Sequence, residues 1–352
     1  MIKISSLSDN AILAKSRAMT CDILKAEDYS ALINSRNLSE TVSYLKNRTV
    51  YSSAISSLSN INIHRSRLEA EIRKFNLERT ANLASFENAV GQKMHQIIFL
   101  NYDVNLILSC ANHLDTNKVS DFSLFTPQAY FKNSQLDPTA LEKAMSFDEF
   151  FEALSGTRYQ KPLDIFKNGN ASFTITALEN ALYQYLGSET KRIIKKNYSG
   201  NAKKELLELF EMKSDFKMIE SIYRMKKYFP DVKLDYSNIF YTGFSALSLE
   251  EISDLTNAKN VREFFRLCKG TKYGKLLDEQ YKDRIELCTN TARFKVCKKN
   301  LRFSTTPEVV MFSFMDLLAN ETNNLIHIIE GVRYELPPDE IKKFLIYSDN
   351  TD

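Results

Sequence analysis

The sequence is poor in the residues that form turns and long loops. Its 352 residues include only 9 glycines and 7 prolines, whereas the usual shares are about 7% and about 5%. Sheets and long loops depend on these residues, so their scarcity favours helices joined by short connections. Hydrophobic residues make up 43% of the chain, which is enough for a sizeable core and argues against disorder. We therefore predict an all-α fold.

Other absences exclude whole classes of protein. The five cysteines are an odd number without a CxxC pair, which indicates reduced thiols in a cytosolic protein and no disulfide frame. No apolar run approaches the ~18 residues that cross a bilayer, and none follows Met1 as in a signal peptide. We therefore expect no direct bilayer insertion.

The charges are also too balanced for a nucleic-acid-binding protein. The chain has 47 basic and 44 acidic residues, a net charge of +3, and no tryptophan. Two local basic clusters stand out, and they permit two interpretations: a solvated helix face with counter-charges nearby, or a surface for an acidic partner. The clusters are Lys191, Arg192, Lys195, Lys196, Lys203 and Lys204, and then Arg293, Lys295, Lys298, Lys299 and Arg302.

An internal repeat is the most informative feature that the sequence does contain. The motif Thr-x-Tyr occurs three times, ending at Tyr51, Tyr159 and Tyr273. Apolar residues recur at matched distances from each tyrosine, at helical spacings that predict burial. These matched sets are Ile33, Leu141 and Leu255; Val42, Phe150 and Phe264; Leu45, Ala153 and Leu267; and Ile55, Leu163 and Leu277.

Each repeat also has a second anchor, an acidic residue inside an apolar helical run. These acids are Asp103, Asp215 and Glu321, and they follow the three tyrosines in the same order. The two anchors together predict three units, at residues 1–115, 116–235 and 236–352. A period of about 110 residues far exceeds that of a solenoid, so each unit should be a small helix bundle. Three like bundles favour an arrangement around a pseudo-three-fold axis.

The repeated acids could have a structural role or could contact a partner. A buried carboxylate needs hydrogen-bond donors or a positive charge, such as a helix end or an arginine. Asn105 and Asn324 lie beside the first and third acids and could bond to the same elements. A general acid/base pair of Asp103 and Glu321 is conceivable. Because the two acids occupy equivalent positions in the repeat, one structural role repeated in each unit is favoured.

Local signals predict where several helices begin and end. Ser248 with Glu251 forms a capping-box pattern, and Asp137 before a proline is a typical N-cap. Pro338 should open the last helix, and Gly331 should end the one before it.

A search for catalytic motifs finds none that is complete. The nearest approach to a phosphate-binding loop, Gly270–Lys275, is one residue too short and is followed by Leu276. The four histidines lie apart from one another and from the cysteines, which argues against zinc, and a G-x-S-x-G motif is absent. We therefore predict no catalytic residue, no cofactor and no metal site.

Several of these segments resemble the C-type subunit of V/A-type ATPases, whose eukaryotic counterpart is the d-type subunit of the vacuolar ATPase. The opening around Ala14–Arg17 and Ile23–Leu32 is similar to the family's first helices, and the Thr-x-Tyr motifs are similar to its recurring elements. The most specific stretch is Glu321–Arg333 followed by Leu336–Ile341. One departure is the segment after Asp103, which lacks the family's usual Leu-Arg continuation.

The resemblance implies a funnel of three similar helical domains and a non-catalytic role. The expected partners are the central-stalk subunits and the proteolipid rotor ring of the same ATPase, with one copy of this chain per complex. It would then work from the cytoplasm, at the inner face of the membrane, and transmit torque for coupled ion transport. An alternative is a cytosolic helical-repeat adaptor unrelated to a pump.

Overall fold

The predicted all-α fold is confirmed. A computed structural model describes residues 4–56, 58, 64–116, 130, 134, 136–167, 173–229 and 244–348. Within these ranges the chain forms helices and short connections, and no strand. None of these helices combines the length and the apolar character that a bilayer crossing requires.

The helices vary from single turns to rods of several turns. In chain order they are α1 Ile4–Met19, α2 Ala26–Ile33, α3 Leu38–Arg48, α4 Ser52–Ile55, α5 Arg65–Ala89, α6 His95–Thr116, α7 Pro138–Lys143, α8 Phe147–Ala153, α9 Gln160–Lys167, α10 Ile175–Asn197, α11 Gly200–Tyr228, α12 Leu249–Asn257, α13 Val261–Gly270, α14 Ile285–Phe303, α15 Pro307–Arg333 and α16 Pro338–Lys342. Short 3₁₀ turns occur at Thr20–Asp22 and Glu279–Tyr281.

The chain forms two compact units. The first combines Met1–Phe86 with Asn290–Asp352, and the second is Glu87–Thr289. In the first unit α15 packs against α1, α2 and α3. In the second, α10 packs against both α6 and α11, and α11 also contacts α13. The division into units 1–115, 116–235 and 236–352 stays a prediction.

Each unit has its own hydrophobic core. In the first unit Tyr51 and Ile72 are fully buried together with Leu325 and Ile328 of α15, so residues from both ends of the chain share one core. In the second unit one core cluster is built from α6, α7, α8, α9 and α10 and the connections between them, and α11, α12 and α13 also contribute buried apolar residues. Burial of apolar surface of this kind is the main term that stabilises helices too short to persist alone.

One helix-start arrangement recurs before each Thr-x-Tyr motif. The N-cap side chain accepts a hydrogen bond from the N–H of a glutamate three residues later, and that glutamate accepts one from the N–H before the cap. The caps and their glutamates are Asn37 with Glu40, Ser146 with Glu149, and Asn260 with Glu263. The same local chemistry therefore starts α3, α8 and α13.

Most of the local helix signals are confirmed, and one is wrong. Ser248 and Glu251 form the predicted capping box, Asp137 caps α7, and Pro338 is the first residue of α16. Gly331 does not end a helix, because α15 continues to Arg333. It lies instead under Ile341 of α16, where a Cβ atom would come within 2.5 Å of the isoleucine Cγ1. The glycine permits close packing between two helices.

Candidate functional site: three tyrosine–carboxylate anchors

The three Thr-x-Tyr motifs share one local structure. In each, the threonine hydroxyl donates to a carbonyl of the preceding helix or its last turn, and accepts from the tyrosine N–H. The threonine Oγ1 to carbonyl distances are 2.7 Å for Thr49 to Leu45, 2.7 Å for Thr157 to Leu154 and 2.7 Å for Thr271 to Cys268. The tyrosine N–H to Oγ1 distances are 3.2 Å at Tyr51, 3.2 Å at Tyr159 and 3.3 Å at Tyr273.

The apolar positions matched between the repeats line the buried sides of these helices. Ten of the twelve are buried. The two exceptions, Ala153 and Leu267, are half-buried. The tyrosines themselves are buried, and each ring points its hydroxyl at one of the three acids.

Every tyrosine hydroxyl donates to a buried carboxylate. Tyr159 Oη lies 2.7 Å from Asp103 Oδ2, Tyr273 Oη lies 2.6 Å from Asp215 Oδ2, and Tyr51 Oη lies 2.7 Å from Glu321 Oε1. Hydrogen bonds to an ionised acceptor are the strong ones, and losing the donor leaves a buried acid short of a partner. Each pair therefore fastens a Thr-x-Tyr turn to a long helix, α6, α11 or α15.

The pairing follows a cyclic order. Tyr159 bonds to the acid of the preceding predicted repeat, and so does Tyr273. Tyr51, in the first repeat, bonds to Glu321 in the last one, 270 residues away. The sequence places a tyrosine and an acid in each repeat but does not show that the bonded pairs cross the repeat boundaries. Spacing alone could not show it, because the bonded separations of 56 and 58 residues resemble the separations within a repeat.

A second set of donors completes each carboxylate, and the sequence analysis missed it. Ser134 Oγ donates to Asp103 Oδ1 at 2.6 Å, and Ser245 Oγ donates to Asp215 Oδ1. Asp215 also accepts from the Ala246 N–H at 3.0 Å. A shared pattern, Ser-x-Leu before a helix cap, occurs at both places and could have indicated these serines.

The third carboxylate is completed in a different way. The position that matches the two serines is Asp22, and Glu321 Oε2 accepts directly from the Leu24 N–H at 2.6 Å. Glutamate is one methylene longer than aspartate, and the Leu24 N–H takes the place that a serine hydroxyl has beside the other two acids. Asn76 of α5 joins the same network, because its amide donates to Tyr51 Oη at 2.8 Å and to Thr322 Oγ1 at 2.8 Å.

Burial dominates the electrostatics of the anchors. It raises the pKa of Asp103, of Asp215 and of Glu321, and the hydrogen bonds they accept oppose that rise. For Glu321 the pKa is raised to about 7. Burial, and then the neighbouring carboxylate, also raise the pKa of Tyr51. The tyrosines therefore stay protonated and act as donors.

Arg79 supplies positive charge to the Glu321 network. Its guanidinium is largely buried, lies against the rings of Phe75 and Phe314, and donates to Asp22 Oδ2 at 3.3 Å. Its charge lowers the pKa of Glu321, but by less than burial raises it.

The two predicted asparagines lie in different environments. Asn324 is buried, and its amide donates to the Ile346 carbonyl at 2.7 Å and accepts from the Ile346 N–H at 3.0 Å. It also donates to Tyr29 Oη at 3.2 Å, and Tyr29 stacks on Tyr347. Asn324 thus holds the segment after α16 against α15 and α2. Asn105 is exposed on α6.

The anchors can fasten helices, but they do not form an open site. A cavity of about 450 Å³ lies between α2 and α16, and the residues described along it include Glu27, Ser30, Asp339 and Lys342 but none of the anchor residues. Among the described residues, no cluster of His, Cys, Asp or Glu side chains has the arrangement of a metal site.

Fold and anchors together define an all-helical protein whose repeated turns are fastened to long helices by buried carboxylates. The family model described as ATP synthase (C/AC39) subunit matches residues 12–344, nearly the whole chain. The chain therefore belongs to the ATP synthase C/AC39 subunit family, and the predicted relationship to the C-type subunit of V/A-type ATPases is confirmed. A search of curated proteins finds no match. Family membership implies partners within an ATP synthase complex.

Proposed function

We propose that this chain is a non-catalytic subunit that links the central stalk to the proteolipid rotor ring of a V/A-type ATPase and transmits torque between them. The observation that carries the proposal is the family match over residues 12–344. It also separates the proposal from the alternative of an adaptor unrelated to a pump. We propose one copy of this chain per ATPase complex, located at the cytoplasmic face of the membrane.

The anchors support the proposed role in torque transmission. A link under torque must not let its helices slide, and each anchor joins elements far apart in sequence, such as Tyr51 and Glu321. Breaking one of them would leave a buried acid short of one donor, which typically costs about 1–3 kcal/mol. The eight anchor residues, Tyr51, Asp103, Asn105, Tyr159, Asp215, Tyr273, Glu321 and Asn324, are thus proposed as structural or partner-contact residues and not as catalytic ones.

The test compares two activities of the reconstituted complex, with and without this chain. ATP hydrolysis should continue in its absence, because the chain supplies no catalytic group, and ion uptake should stop because torque has no path to the ring. Adding back the full chain should restore ion uptake. The purified chain alone should neither bind nor hydrolyse ATP. Ion uptake that persists undiminished without the chain would overturn the proposal.

A further inference from the structure

The turn between α10 and α11 concentrates positive charge. From Lys191 to Lys204 the sequence contains six basic residues and no acidic one. Lys195 and Lys196 lie in the last turn of α10, and Lys203 and Lys204 lie near the start of α11, whose first residue, Gly200, has a φ of 57°. Lys195, Lys196 and Lys204 are exposed, and Lys203 is half-buried. These four lysines are called the basic tip.

Charges of the described residues do not neutralise the basic tip. Arg192 is paired with Glu189 at 2.7 Å, whereas none of the four lysines forms an ion pair with another described residue. Lys195 and Lys196 suit the negative end of the α10 dipole, but Lys203 and Lys204 lie near the positive end of α11. Helix stability therefore does not account for the second pair.

The surroundings of the basic tip favour one kind of partner. Asn197, Ser199, Gly200 and Asn201 are exposed between the lysines, and no exposed large apolar side chain lies among them. Protein interfaces are depleted in lysine and centre on apolar or aromatic anchors. Flexible ammonium groups without such an anchor suit a surface of many mobile negative charges, such as anionic lipid headgroups.

We propose that the basic tip binds the anionic phospholipid headgroups of the membrane surface. Binding would be electrostatic and would involve no insertion. The inference rests on the proposed function only in that the proposed function brings the chain to the membrane. Its test uses the isolated full-length chain, so failure of the coupling experiment would leave the result standing.

The test is cosedimentation with vesicles of phosphatidylcholine, or of phosphatidylcholine with a third of the lipid replaced by phosphatidylglycerol. The parent chain should bind only the anionic vesicles and should be released by about 0.5 M salt. The variant Lys195→Gln/Lys196→Gln/Lys203→Gln/Lys204→Gln should bind at least about tenfold more weakly. A thermal melt like that of the parent shows that this variant is folded.

A matched control removes four charges elsewhere. Lys282, Lys295, Lys298 and Lys299 are also exposed, and their replacement by glutamine should leave vesicle binding near that of the parent. An equal loss in the control would show that net charge is responsible, and would overturn the proposal. It would also be overturned by no binding to anionic vesicles, by equal binding to neutral ones, or by release with millimolar glycerol phosphate, which would indicate a discrete phosphate site. Loss of complex assembly without any vesicle binding would assign the tip to an acidic protein.

Discussion

At the scale of single residues, one methylene separates the third anchor from the other two. Asp103 and Asp215 accept hydrogen bonds from serine hydroxyls, whereas Glu321 accepts one from the backbone N–H of Leu24. Two hydrogen bonds oppose the effect of burial on Glu321, as they do for Asp103, whereas three do so for Asp215. The pKa of Glu321 is raised to about 7, which brings its titration near neutral pH.

We expect Glu321 to make stability depend on pH. Because folding raises the pKa of this carboxyl from its usual ~4.3, the folded chain holds the proton over a range in which the unfolded chain has lost it. The contribution of Glu321 to the free energy of unfolding is greatest at low pH. It falls as the pH rises from about 4.5 to 7 and stays constant at higher pH. Glu321→Gln removes the titration, so its melting temperature relative to the parent should rise between about pH 5 and about pH 8.

The control for this prediction is Glu250→Gln. Glu250 is an exposed residue at the start of α12, so its variant should follow the pH profile of the parent. A difference between the Glu321→Gln variant and the parent that stays constant across the pH range would contradict the assignment.

At the scale of elements, the contact between α15 and α16 depends on the absence of a side chain at position 331. A Cβ atom there would lie 2.5 Å from Ile341 Cγ1 and 2.7 Å from its Cδ1, while Ile341 is buried in the core of the first unit. The close contact fixes where α16 lies, and with it the segment that Asn324 holds.

A double-mutant cycle tests this contact. Gly331→Ala should destabilise the parent by about 1–3 kcal/mol, because overpacking outweighs the better helix propensity of alanine. In the background of Ile341→Ala, which removes both clashing atoms, the same change should be neutral or slightly stabilising. Urea unfolding of the four proteins measures the coupling energy. If Gly331→Ala lowers the free energy of unfolding equally in both backgrounds, the contact with Ile341 is not what disfavours a side chain at position 331.

The sequence is a good guide to features that depend on neighbouring residues. The capping box at Ser248 and the cap at Asp137 depend on groups two or three residues apart, so local pattern predicts them. The prediction for Gly331 is wrong because a glycine that ends a helix and one that admits a neighbouring helix look alike in sequence. The partner of Tyr51 could not be predicted, because no local signal identifies a residue as distant as Glu321.

At the scale of the whole molecule, the first compact unit is built from both ends of the chain. Met1–Phe86 contributes Tyr51 and Leu24, and Asn290–Asp352 contributes Glu321 and the apolar face of α15. The second unit, Glu87–Thr289, is continuous and contains both partners of the other two anchors.

This difference predicts how fragments behave. A fragment of residues 87–289 should be helical and should melt cooperatively, because its core and its two anchors are complete. A fragment of residues 1–86 should lack a cooperative melt, because α15 is missing from its core. Adding a fragment of residues 290–352 should restore helical structure. Circular dichroism of each fragment and of the mixture gives the result, and a stable fold of 1–86 alone would contradict the prediction.

The discontinuous unit also has a consequence for biosynthesis. Residues 1–86 leave the ribosome before the rest of this unit, but the bond from Tyr51 to Glu321 spans 270 residues and cannot form until Glu321 has been made. The continuous unit can fold earlier, as it emerges. During that interval the N-terminal helices carry apolar faces that have no cover, and closing so long a loop is slow compared with local helix formation. The stretch of translation between these two events is when the nascent chain is most exposed to aggregation, and when a chaperone would have the most to protect.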